Sequence, residues 1–307
     1  MNTRIKVVGV GGSGGNGISR MMSCNIKGVE LIAVNADAQD LQKAKAHTKI
    51  RIGKEITKGL GTGMNPEIGR LAAEEQRDEL EKALAGADMI FITCGVGGGC
   101  GSGASSVIAE IARNLGALTL AVVTTPFSFE GIQRMEVAKE SLRRLKPKVD
   151  TLITVSNNKL LATLEPKVTI NDAFWFCDEI LRQAVQGISD LIVLPGIINI
   201  DFADVKGIMK NSGSALFSIG RAKGPERARQ AAMQALSSPL LDISPKGAKG
   251  ILFNVSGGKD ISLTEIDEAA KIITQEVPSD AKIVFGAIQD EKLPKGEIKV
   301  TVIATGF

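Results

Sequence analysis

Six glycines fall within the nine residues Gly95 to Gly103, GVGGGCGSG. An apolar run, Asp88 to Cys94, precedes them and reads as a buried strand. A helical pattern over 104–115 follows, with Val107, Ile108, Ile111 and Leu115 in phase and Gly116 as its stop. A glycine-rich turn entering a helix presents several backbone N–H groups at the positive end of the helix dipole, which suits a phosphate chain. A second such loop lies near the amino terminus. Residues 4–10 read as a strand, and Gly9-x-Gly11-x-x-Gly14 then leads into a helix, with Asp37 after the next strand. Alone, that spacing suits a dinucleotide. Two glycine loops at one pocket suit the longer, more charged phosphates of a nucleoside triphosphate. Neither Gly53-Lys54 nor Gly258-Lys259 has the upstream glycine and following hydroxyl of a P-loop.

Three further groupings carry side chains able to do chemistry. Phe174 and Asp178 stand four apart, on one helix face. A ring stacked on a base with a carboxylate one turn away selects guanine, whose N1–H and 2-amino group are adjacent donors; a core Phe and a surface Asp are the commoner outcome of such spacing. Glu130 and Arg134 have the same spacing and suit either a ribose or a mutual surface pair. Asn199-Ile-Asp201-Phe-Ala-Asp204 puts two carboxylates at a helix start, able to orient water or an ion, or only to cap the helix. They follow a long helix on the side away from the glycine loops, so they could reach phosphates only in a neighbouring molecule stacked head to tail.

Composition removes other chemistries. The chain has 307 residues, 37 basic and 34 acidic, for a net charge of +3, with 4% aromatics and no basic block. Nucleic acid is therefore not an expected partner. No apolar run is long enough to span a bilayer, and residues 1–20 lack a signal-peptide core, so a cytoplasmic protein without membrane insertion is expected. Four cysteines without C-x-x-C spacing and a single histidine, His47, argue against a metal cluster held by side chains or a structural disulfide. Catalysis is left to carboxylates or positioned water.

The elements that must hold these residues alternate in the first half. Strands are expected at 4–10, 29–35, 88–94, 118–124 and 150–155, and helices at 15–25, 66–85, 104–115 and 131–146. That alternation implies an α/β fold whose amino-terminal part is a Rossmann-like parallel sheet with helices on both faces and ligands at the carboxyl ends of the strands. Five loops meet there: the two glycine loops, 35–37, 59–65 and 125–130. A long central helix over 169–194 would link this domain, residues 1–168, to a smaller one, residues 195–307. The second domain reads helix 204–211, strand 214–220, helix 225–236, strand 250–256, helix 264–276, strand 282–288 and strand 297–304. The last two, joined by a polar turn, imply a mixed sheet.

Taken in order, these segments resemble the FtsZ family, the bacterial relatives of tubulin. Gly97-Gly98-Gly99-Cys100-Gly101-Ser102-Gly103 resembles the signature GGGTGTG, and Val8 to Asn16 resembles the family's first loop. Asn35 to Gln39, Gly59 to Glu67, Pro126 to Gly131, Gln186 to Leu191, Asn199 to Asp204 and Val302 to Phe307 complete the series over nearly the whole chain. The resemblance implies a GTPase that polymerises head to tail into protofilaments and forms the division ring, with GTP or GDP bound together with Mg²⁺ held through the phosphates. It places Gly11, Gly12, Ser13, Asn16, Gly97, Gly98, Gly99, Cys100 and Gly101 on the phosphates, Phe174 and Asp178 on guanine, Asn157 beside base and ribose, and Glu130 with Arg134 on ribose. It sends Asn199, Asp201 and Asp204 into the next subunit's pocket as catalytic residues. The alternative it leaves is a filament or regulatory protein of the same superfamily that binds GTP with weak or no hydrolysis. Three departures stand out: Cys100 and Ser102 in place of threonines, and Ser13 in place of a glycine. The sequence given ends at Phe307, where the family core ends, so adaptors that grip a tail are not expected to bind it.

Overall fold

The computed structural model describes residues 3–163, 168–194, 196–238, 245–290 and 292–307. The chain divides into two compact units, Met1–Gln186 and Gly187–Phe307. Pro195, where the smaller domain was expected to begin, lies outside the described residues.

The first unit runs β1 (Ile5–Val10), α1 (Gly11–Ser23), β2 (Val29–Asn35), α2 (Ala38–Lys43), β3 (Thr48–Arg51), α3 (Pro66–Glu75), α4 (Arg77–Leu84), β4 (Met89–Gly95), α5 (Gly99–Asn114), β5 (Leu118–Thr125), α6 (Ile132–Leu145), β6 (Thr151–Ser156) and α7 (Asn157–Ala162). The long helix α8 (Ile170–Val193) begins in it and ends in the second unit. Its strands are parallel in the order β3-β2-β1-β4-β5-β6. Residues Met89 to Cys94 of β4 and Leu118 to Thr124 of β5 are buried throughout. Strands covered on both faces need no polar side, hence their unbroken apolar runs. Because β1 pairs with both β2 and β4, the strand order reverses there. The turns leaving β1 and β4 open onto one crevice.

Two expected boundaries change. Helices α1 and α5 begin inside the glycine runs, at Gly11 and Gly99, rather than after them. A φ of +73° at Gly11 and +107° at Gly97 turns the chain without a longer loop. Gly103 of α5 serves helix packing: a Cβ on it would stand 1.9 Å from the Pro66 carbonyl oxygen, so α3 lies directly against α5. The single helix expected over 66–85 is two, broken at Gln76. Helices α2 and α7 and strand β3, each of four to six residues, were not foreseen.

The second unit holds α9 (Phe202–Met209), β7 (Gly213–Lys223), α10 (Arg227–Leu236), β8 (Gly250–Gly257), α11 (Leu263–Gln275), β9 (Lys282–Gln289) and β10 (Glu297–Thr305). Its sheet is mixed, as expected, in the order β7-β10-β8-β9. The turn between β9 and β10 does not close a hairpin, however. β10 inserts antiparallel between β7 and β8, while β9 pairs parallel with β8 at the edge. Val300 and Val302 of β10 are buried there opposite Val255 and Phe253, so an apolar strand takes the central place.

Candidate nucleotide site

At the crevice of the first unit lies a cleft of about 470 Å³, a size suited to a small ligand. All five expected loops line it: Val10 to Ser13, Asn35 with Asp37, Leu60 to Met64, Gly95 to Gly101 without Gly97, and Thr124 to Pro126 with Glu130. Arg134 and Phe174 complete the wall.

The amino termini of α1 and α5 both open here. The residues preceding them, Val10 and Gly98, make no side-chain cap. Helices α2, α3, α9 and α11 are capped by Asp37, Asn65, Asp201 and Ser262, whereas α4, α6 and α10, like α1 and α5, start without a side-chain cap. First-turn N–H groups have no partner within their own helix, so two uncapped starts leave donors and positive dipole ends facing one cavity. An anion with several oxygens fits that arrangement. Ser13 sits in α1 without a positive φ, so its Cβ costs no backbone strain.

The glycine turn is fastened from behind. Ser102 is buried, and its Oγ accepts the Gly97 N–H at 2.9 Å, which explains why a hydroxyl serves there and why Gly97 stays off the cleft surface. Cys100 lines the cleft with its thiol pushed up to about 11, chiefly by burial, with Asp37 adding to the shift and backbone groups of Ala36 and Gly11 opposing it. A protonated thiol is a weak donor.

Opposite this end, Phe174 is 41% exposed and meets Phe127 edge-on at 5.4 Å, while Phe127 stacks on Phe129 at 4.9 Å. Asp178, one turn further along α8, is half-buried. Burial raises its carboxyl from 3.8 to about 7, with the Arg20 guanidinium pulling the other way. Glu130 pairs with Arg134 and also accepts the Phe127 N–H at 2.9 Å, so it braces the turn under the aromatic cluster.

The remaining expected residues lie elsewhere. Asn16 is exposed and lines a smaller neighbouring hollow with Gly12, Gly15 and Asp40. Asn157 is buried at the start of α7 with its Oδ1 unbonded. Neither it nor Asp178 lies on the cleft surface. Asn199, Asp201 and Asp204 belong to the second unit and are exposed. Asn199 Oδ1 accepts the Gly196 N–H at 2.7 Å, and Asp201 caps α9. Sequence reasoning missed Arg20, whose guanidinium lies 4.2 Å over the Trp175 ring near Asp178. Its place on α1, one turn after Asn16, was the only signal. His47 is structural: its Nδ1 accepts the Leu31 N–H at 2.9 Å.

Residues 4–165 match the GTPase domain of the Tubulin/FtsZ family, and residues 213–307 match the C-terminal domain of the FtsZ family. The chain belongs to the tubulin/FtsZ family. It is similar, at 45% identity and a TM-score of 0.96, to an empty FtsZ dimer from M. jannaschii, over 100% of this chain and 89% of that one. An FtsZ tryptophan-to-tyrosine mutant from the same organism gives 45% and 0.96, over 99% and 91%. CetZ2 of Haloferax volcanii, a GTPγS-bound protofilament, shares the fold at 22% identity and a TM-score of 0.81, over 98% and 92%. The GTPase-domain match to the tubulin/FtsZ family contains the whole cleft except Phe174. The Asn199–Asp204 segment falls between the two matched regions. No helix among the described residues is long and apolar enough to cross a membrane.

Proposed function

We propose that this FtsZ-like core binds and hydrolyses GTP, and that it polymerises head to tail into protofilaments that build a cytoplasmic division ring. The observation that carries the reading is the pair of uncapped, glycine-rich helix starts at one strand-order reversal. In this reading the first-turn N–H groups of α1 and α5 hold the phosphates, with Gly11 to Ser13 on one side and Gly98 to Gly101 on the other. Phe174 offers a face to the base, and ionised Asp178 accepts both guanine donors. Glu130 and Arg134 hold the ribose, and Asn157, buried off the cleft surface, supports the base and ribose side. The cleft also offers hard oxygen donors, the carboxylates of Asp37 and Asp40, which suit Mg²⁺; Cys100 does not. Mg²⁺, when bound, neutralises phosphate charge.

Hydrolysis needs a positioned water, and the cleft carboxylates other than Asp40, which this reading gives to Mg²⁺, have partners of their own. Asp37 already caps α2, and Glu130 is paired with Arg134. Exposed Asp201 and Asp204, with Asn199, supply that function to a neighbouring subunit. Exposed apolar side chains support the head-to-tail contact: Leu60 and Ile132, 87% and 83% exposed, flank the cleft, and exposed Ile197 stands beside Asn199 in the second unit. Apolar surface at a site mouth marks a face that a partner covers, and unlike faces that meet generate open filaments.

The test is phosphate release against protein concentration with GTP and Mg²⁺, alongside light scattering. A rate per molecule near zero when dilute, rising with assembly, is expected; a rate independent of concentration would overturn the shared site. The Cys100 thiol favours one second reading, a filament that binds GTP without cycling, whose signature is scattering without phosphate release.

A further inference from the structure

The segment Gly53 to Met64 leaves β3 and supplies the cleft wall at Leu60 to Met64. Its backbone turns sharply, with the Thr57 N–H donating to the Gly53 carbonyl and the Leu60 N–H to that of Thr57, both at 2.9 Å. Six of its twelve residues have positive φ, among them Lys58 at +51° and Met64 at +63°, which lack glycine's freedom. Side chains outside the loop add support to these internal bonds.

That support stands at the break between α3 and α4. Four consecutive loop N–H groups converge on two adjacent side chains. Gly53 and Lys54 donate to Gln76 Oε1, the latter at 3.4 Å. Glu55 and Ile56 donate to the two Glu75 carboxylate oxygens at 2.9 and 3.2 Å. Gln76 Nε2 in turn donates to Glu75 Oε1 at 2.8 Å, locking the two acceptors together. Gln76 is buried and Glu75 exposed, so the clamp is a hinge residue with a surface partner. These bonds hold Glu75 below the usual carboxylate range, so the clamp is ionised near neutral pH.

The clamped segment occupies one end of the cleft. Leu60 bridges to Asp37 beyond β2, and a Cβ on Gly99 would touch Thr62 Oγ1 at 2.2 Å, so the loop packs on the start of α5. Phe174, Phe127 and Glu130 lie at the other end, beyond β5, with β1 and β4 between. With the base at Phe174, the far end of the phosphate chain reaches Leu60 to Met64. We propose that Glu75 and Gln76 are positioning residues that hold this loop against the terminal phosphate and so set the preference for nucleoside triphosphate over diphosphate. The inference rests on the nucleotide reading above and assigns its discrimination to two side chains outside the cleft.

Binding of GTPγS and of GDP to wild type, E75A, E75Q and Q76A at dilute protein tests it. In E75A and Q76A, GTPγS affinity should fall about tenfold and GDP affinity change less than about twofold. E75Q, which keeps one acceptor oxygen, should fall between. Glu75 is exposed, so E75A carries the test if Q76A fails to fold. An unchanged GTPγS-to-GDP ratio in E75A, beside a wild type that binds both, overturns this inference alone. A wild type that binds neither overturns the nucleotide reading and this inference with it.

Discussion

Asp201 Oδ1 accepts the backbone N–H of Asp204 at 2.8 Å, so one aspartate of the pair caps the helix that carries the other. The two carboxylates can therefore be told apart by substitution. Asp201→Ala should cost about 1 kcal/mol through the lost cap, whereas Asp201→Asn, an equally good cap, should leave the melting temperature unchanged. Asp204→Ala should cost little, its side chain being exposed. All three variants should bind GTP normally and lose phosphate release. Nucleotide affinity lost in Asp204→Ala would remove it from the neighbour's site.

With Asp178 on guanine, as proposed, nucleotide affinity should depend on pH near neutrality. Burial holds its folded-state carboxyl at about 7 against 3.8 when unfolded. Between those values the folded protein keeps a proton that the unfolded chain has released, so the contribution of this group to stability declines as pH rises through the window. Guanine needs the ionised form as acceptor. GTP affinity should therefore rise about tenfold between pH 6 and pH 8. Asp178→Asn should bind weakly and flatten the profile, and Arg20→Ala should move the midpoint upward. A flat wild-type titration by calorimetry would remove Asp178 from the base.

Much of this site was legible because its elements obey local rules. β1, β4 and β5 show as apolar runs since both faces are covered, and Asn65-Pro66-Glu67 marks the start of α3 with its cap, its Pro and its acidic residue. The glycines misled the helix boundaries: their poor propensity reads as loop, yet close contact between α3 and α5 requires them inside the helix. The break at Gln76 left no trace, because the residues on either side, Glu74, Glu75 and Arg77, are good helix formers, and the loop that bonds to its side chain is remote in sequence. β3 buries only Ile50 of four residues, too short a pattern to read. The insertion of β10 is a non-local pairing that adjacency in sequence cannot reveal. Among cleft residues the loop glycines showed in the sequence, and the Asp201–Asp204 spacing showed the helix start that α9 has. Arg20 did not, because its partner Trp175 is remote in sequence.

Thiol reactivity offers a check independent of function. Cys24 is exposed, while Cys94, Cys100 and Cys177 are buried. Burial pushes their thiols to about 12, 11 and 12. The thiolate is the reactive form, so at neutral pH only Cys24 should react with a disulfide reagent in the native protein. About one equivalent should titrate natively and four in denaturant. Rapid native labelling of Cys100, read by peptide mapping, would mean that the glycine turn opens.

Cys100 decides between the two functional readings. It lines the cleft at the second residue of α5, where the family signature carries a threonine. A hydroxyl donates to a charged phosphate oxygen far better than a protonated thiol does, and a charge-assisted bond contributes about 1.5–3 kcal/mol. If that contact forms in the transition state, Cys100→Thr should raise kcat by about tenfold or more. Cys100→Ser, closer in size, should rise comparably and separates the hydroxyl from the added methyl. Phosphate release at saturating GTP, measured at one protein concentration above assembly, is the readout. A wild type with near-zero turnover that both variants restore would identify a filament slowed by its thiol, while three equal rates would place the Cys100 side chain outside the reaction.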